Sequence, residues 1–140
     1  MEESPVNLVN DALDSIPSEH FAARFALDCA FVDRRLDGLC SVLARNHEVG
    51  GIGGEGWSIE RRDEGDASWP PLAEFLCSVD AEEIPSDNPD CYLDRPTFHR
   101  YVLAVTRAYM RKYPKLKDAI GVVETVVLAQ STRITPTPPS

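Results

Sequence analysis

The strongest constraint in this sequence is a run of apolar residues at helical spacing. Phe21, Phe25, Cys29, Val32, Leu36, Leu39 and Leu43 follow one another at intervals of 4, 4, 3, 4, 3 and 4. Side chains three and four apart share one face of an α-helix, so the run asks for a long amphipathic helix with that stripe turned to a core. Ser18 caps its start, and Glu19 stands in the first turn, where the helix dipole favours an acid. Asn46 and the glycines beyond it stop the helix. Gly38 lies inside it, costs about 1 kcal/mol against Ala, and marks a close helix crossing.

The other segments extend this pattern. Residues 5–16 read as a short helix, capped by Asn7 and closed by Pro17. Pro70 and Pro71 suit a helix's first turn, and Leu72, Phe75, Leu76 and Val79 give this third helix a buried side. Asp94 caps a fourth helix with Pro96 in its first turn and Phe98, Tyr101, Val102, Val105 and Tyr109 on its apolar face. The segment from Lys115 to about Gln130 fits a fifth helix through Leu116, Ile120, Val123 and Val127. The β-branched run at 122–127 also fits a strand; helix is preferred, because no turn signal precedes the run. Between these lie a long Gly-rich loop at 47–69, in which Trp57–Arg62 suits a short strand, and an acidic, proline-broken loop at 80–94. The expected fold is mainly α: a single-domain bundle of about five helices over 1–134, with a disordered Pro/Thr tail at 135–140.

Composition narrows the chemistry. The chain carries 23 acids against 14 bases, a net charge of −9. That balance opposes generic binding to nucleic acid or to an anionic membrane and favours a basic partner. The charge is uneven: residues 1–94 hold 21 acids and 6 bases, residues 95–140 hold 2 and 8. No apolar run is long enough to span a bilayer, and the acidic start at Met1-Glu2-Glu3 is unlike a secretory signal, so the expected location is the cytoplasm. Cys29, Cys40, Cys77 and Cys91 contain no Cys-x-x-Cys and read as reduced thiols, the first three buried and Cys91 exposed in a polar loop.

The catalytic patterns fail one by one. Gly51-Ile52-Gly53-Gly54-Glu55-Gly56 matches Gly-x-Gly-x-x-Gly, but a helix precedes it and no helix start follows, so no helix N-terminus meets a pyrophosphate. His20, His47 and His99 are too far apart for a helical metal motif. Cys91 with His99 could pair as nucleophile and base, yet no pattern supplies a third, orienting group. No cofactor, metal or catalytic residue is expected. What remains is an acidic surface interleaved with aromatic anchors. Its main candidate residues are Asp80, Glu82, Glu83, Asp87, Asp90, Tyr92 and Asp94; Trp57, Asp63, Glu64 and Asp66 are the next candidates. Trp and Tyr supply binding hot spots, and carboxylates around them steer a basic partner.

In size, charge and composition across the whole chain the sequence resembles the immunity proteins of contact-dependent growth-inhibition systems. That resemblance implies a cognate partner, the toxin domain of a secreted effector, often a basic nuclease. The immunity protein would cover its active or substrate-binding face without catalysis, nucleic acid or membrane. An acidic cytosolic chaperone or adaptor for a secreted effector is the alternative, and a small enzyme with an unrecognised pocket the second.

Overall fold

The computed structural model describes residues 12–44, 51–62, 68–80, 82 and 88–132. In chain order the main elements are α1 (Phe21–Val32), α2 (Leu36–Leu43), β1 (Gly51–Gly54), β2 (Trp57–Arg61), β3 (Phe75–Val79), β4 (Asp90–Leu93), α3 (Arg95–Lys112) and α4 (Lys117–Thr132). Short 3-10 turns at Ser18–His20 and Pro114–Leu116 lead into α1 and α4. The strands form one antiparallel sheet in the order β1-β2-β3-β4. The fold is α+β, which corrects the expected all-helical bundle.

β2 falls on the short strand read at Trp57–Arg62, and the rest of the sheet sits where the sequence reads as loop and helix. The Gly-rich segment 47–69 holds β1 and β2, joined through Glu55-Gly56, with Gly56 at φ 79°, a conformation that glycine adopts without strain. Residues 75–79, which also satisfy a helical template, form β3, and part of the acidic loop 80–94 forms β4. Side chains alternate between two faces. Ile52, Trp57, Ile59, Arg61, Phe75, Cys77, Val79, Cys91 and Leu93 point into the core. Cys91 is therefore buried rather than exposed, directly opposite Cys77 in the strand register.

The long helix expected from the periodic stripe is two helices. Its break is a Schellman motif: Arg35 N–H donates to Ala30 O at 2.8 Å, Arg34 N–H donates to Phe31 O at 3.2 Å, and Arg34 takes φ 56°. This left-handed position usually holds glycine, so with arginine there nothing in the sequence marks the stop. The packing of α1 also differs from the stripe. Ala22, Ala23, Ala26, Leu27 and Ala30 are buried, whereas Phe21, Phe25 and Cys29 are half-buried and Val32 is 63% exposed. Small side chains let α1 lie against β2, β3 and β4. Gly38 marks a close approach to the sheet rather than to another helix: a Cβ there would stand 2.5 Å from Ile52 Cγ2.

The last two helices follow the sequence closely. Asp94 caps α3, its carboxylate accepting from Thr97 N–H at 2.9 Å, and Pro96 stands in the first turn. In α4, Ile120, Val123 and Val127 are buried, so the 117–132 segment is helix. Phe98 on α3 stacks on Phe75 of β3 at 4.2 Å, and α4 packs on α3 and α2. Arg61 ties the layers together: it donates to Val42 O at 2.9 Å and Leu43 O at 2.7 Å, in the last turn of α2, and pairs with Glu74, which also binds Arg95 at 2.9 Å. Cations suit a helix C-terminus, so the buried guanidinium is placed where its charge is used.

Candidate functional site

The helices pack on one face of the sheet, and the opposite face is the candidate site. Its rows follow from the register. One runs Gly51, Glu60, Leu76, Tyr92 across the four strands; the next runs Gly53, Ser58, Ser78, Asp90. These eight positions are exposed or half-buried. Their two charged side chains, Glu60 and Asp90, are both acids. Small residues over β1 and the middle of the sheet make that part low, and Leu76 and Tyr92 rise beside it. Trp69, from the β2–β3 connection, meets Tyr92 edge to face at 5.3 Å. Such pairing holds both rings in place before any partner arrives. Three residues on, Leu72 is 84% exposed at φ 70°, so a large apolar side chain is presented to solvent from a strained backbone.

The structure sorts the candidates named from sequence. Asp90 and Tyr92 lie on the outward face, and Tyr92 is 43% exposed. Asp80 and Glu82 are exposed just beyond β3, where Asp80 accepts from Glu82 N–H at 2.9 Å. Asp94 is occupied as a helix cap; its bonds to Thr97 hold its carboxyl below the ordinary value. Trp57 is buried, 4% exposed, and its indole N–H donates to Asp33 at 3.3 Å, so its ring faces the core and not a partner. Glu83, Asp87, Asp63, Glu64 and Asp66, like the tail 135–140, lie outside the described residues. Sequence reasoning missed Leu72 and Leu76 by placing both on the buried side of a helix. The signal that finds Leu76 is the period of two in Trp57–Arg61 and Phe75–Val79, buried at every other residue; no sequence signal marks Leu72.

A second group of ionisable residues lies inside. His99 is 3% exposed beside Arg61, Glu74 and Arg95. Burial, helped by the two guanidiniums and opposed by Glu74, pulls its imidazole down to about 4. Burial raises the Glu74 carboxyl, but hydrogen bonds from Arg95 and Arg61 outweigh it and leave the group below the ordinary value. Burial pushes the Cys91 thiol up to about 11. A reactive thiolate–imidazolium pair needs a lowered thiol and a charged imidazole, so Cys91 and His99 are shifted the wrong way for that chemistry. Among the described residues no group of three His, Cys, Asp or Glu side chains is placed to hold a metal ion, and no helix is long and apolar enough to cross a membrane.

No protein-family model, curated protein or solved structure matches this chain.

Proposed function

We propose that this chain acts by binding a protein, and that the outward face of its sheet is the contact surface. More narrowly, it is an immunity protein of the cytoplasm that covers the active or substrate-binding face of a basic toxin domain, in the simplest case a nuclease. The observation that carries the reading is the Trp69–Tyr92 pair standing on an open sheet face whose charged side chains, Glu60 and Asp90, are acidic. Rigid aromatics cost little entropy to immobilise and dominate interface energies, and acids around them steer basic partners. Four strands about 4.8 Å apart and about 3.4 Å per residue cover roughly 15–20 Å each way. That is the centre of a footprint of about 800 Å² per partner, and the flanking connections supply the rim.

The test uses a candidate toxin domain drawn from the reading frames beside this gene. The parent chain is expected to bind it one to one in calorimetry and to suppress its activity. Tyr92→Ala and Trp69→Ala should each weaken binding by about 2 kcal/mol or more, with circular dichroism unchanged. Folded variants that bind as tightly as the parent would remove the sheet face as the contact surface. Failure of the parent to bind or inhibit that domain would remove the immunity reading.

A further inference from the structure

A cavity of about 280 Å³ opens where the end of α1, the α1–α2 junction, the end of α3 and the start of α4 meet. It contains no residue of the sheet, so it is separate from the proposed contact face. Its walls are apolar and aromatic. Phe31 stacks on Tyr109 at 4.9 Å with 16° between the rings, and Tyr109 stacks on Tyr113 at 5.9 Å with 22°. Leu116 and Ile120 line it as well. The Tyr109 hydroxyl donates to Asp28 at 2.6 Å, which pins its ring. Protein interiors rarely leave voids larger than a water molecule, because unfilled walls forfeit their dispersion contacts. Here the mouth stays open, with Tyr113 40% exposed on its rim.

Among the described residues one charged side chain lines the cavity, Arg34. It is the residue at φ 56°, where glycine would cost less. Its side chain makes no hydrogen bond or ion pair among the described residues. A strained backbone that sets an unspent cation on the lip of an aromatic cavity is a reason to look for a ligand. Among the described residues no carboxylate lines the cavity to compete for that guanidinium.

We propose that this cavity binds a small aromatic carboxylate, with its ring against the Phe31–Tyr109–Tyr113 stack and its carboxylate on Arg34. The planar guanidinium matches a carboxylate through two parallel hydrogen bonds, and offset rings favour a flat aromatic body over a branched one. Ligand pockets run from about 300 to 1,000 Å³. This one is at the small end, which suits one fused-ring acid and excludes a dinucleotide.

The experiment titrates the full-length, nitrogen-15-labelled chain with 2-naphthoate and, separately, with the neutral 2-naphthamide, followed by amide chemical shifts. Saturable shifts with 2-naphthoate are expected within residues 31–36 and 109–120. Arg34→Asn keeps a residue tolerant of the left-handed backbone and removes the charge. It should weaken 2-naphthoate by at least tenfold, about 1.4 kcal/mol, and leave 2-naphthamide unchanged. Ala119→Phe, at an exposed lining position, should fill the cavity and abolish both without lowering the melting temperature. The proposal is overturned by no saturable shift below about 5 mM, by shifts centred elsewhere, by 2-naphthamide binding as tightly as 2-naphthoate, or by an Arg34→Asn variant equal to the parent. Tyr92→Ala is expected to bind 2-naphthoate like the parent, which separates this site from the sheet face.

Discussion

His99 is held neutral in the fold by burial and by the guanidiniums of Arg95 and Arg61, against the pull of Glu74. In the unfolded chain it takes up a proton near 6.5; in the fold it resists protonation down to about 4. Between those values the unfolded state holds more protons, so stability is complete above about 6.5 and falls with pH, by about 1.4 kcal/mol per unit at most. Glu74 adds to this at the acid end. Its carboxyl is held below the ordinary value, so its contribution is present above that value and lost as pH drops through the folded one. Denaturant unfolding should therefore show a free energy that declines as pH drops for the parent and a nearly flat one for His99→Phe between about 6.5 and 5. A variant with the parent's slope would assign the titration to another group. None of this network was legible in the sequence. Arg61 ends β2, Glu74 lies just before β3, and Arg95 and His99 stand in α3, so only the sheet register and the start of α3 bring them together.

At the scale of elements, two positions reverse what helix propensity alone implies. Gly38→Ala on an isolated helix would stabilise by about 1 kcal/mol. Here the new methyl would meet the stiff, β-branched Ile52 of β1, and overpacking of this kind costs about 1–3 kcal/mol. The expected result is a lowered unfolding midpoint; a raised one would mean that α2 and β1 can part freely. Arg34→Gly relieves the left-handed backbone at the end of α1 and should stabilise by about 0.5–1 kcal/mol once glycine's greater freedom in the unfolded chain is set against it. A lowered midpoint would show that the arginine side chain contributes more than its backbone costs. The same elements explain what sequence could convey. α3 was legible because Asp94, Pro96 and a long apolar face all agree, and α4 because Ile120, Val123 and Val127 keep the helical period despite β-branching. Of the strands only β2 was legible, as the short strand read at Trp57–Arg62; β1, β3 and β4 were not. β1 is three-quarters glycine, and Phe75, Leu76 and Val79 satisfy helix and strand templates alike in a run too short to choose between them.

Across the whole molecule, the outward face of the sheet and the junction of α3 with α4 carry opposite charge. The strands present Glu60 and Asp90, while Arg111, Lys112, Lys115 and Lys117 cluster at the end of α3 and the start of α4, and α4 packs on helices rather than on the sheet. With a net charge of −9, association of a basic toxin domain should be steered over long range. Raising ionic strength from about 0.01 to 0.15 M shortens the Debye length from about 30 to 8 Å, so the association rate in stopped flow should fall steeply while dissociation changes less. A flat association rate would leave shape and apolar contact as the basis of recognition. The one-sided sheet has an engineering consequence as well. Ser58, Glu60, Leu76, Ser78, Asp90 and Tyr92 alternate with the residues that form the core, so all six can be randomised together while every inward side chain is kept. The sheet is thus a ready display scaffold, from which a library could be selected for targets of choice.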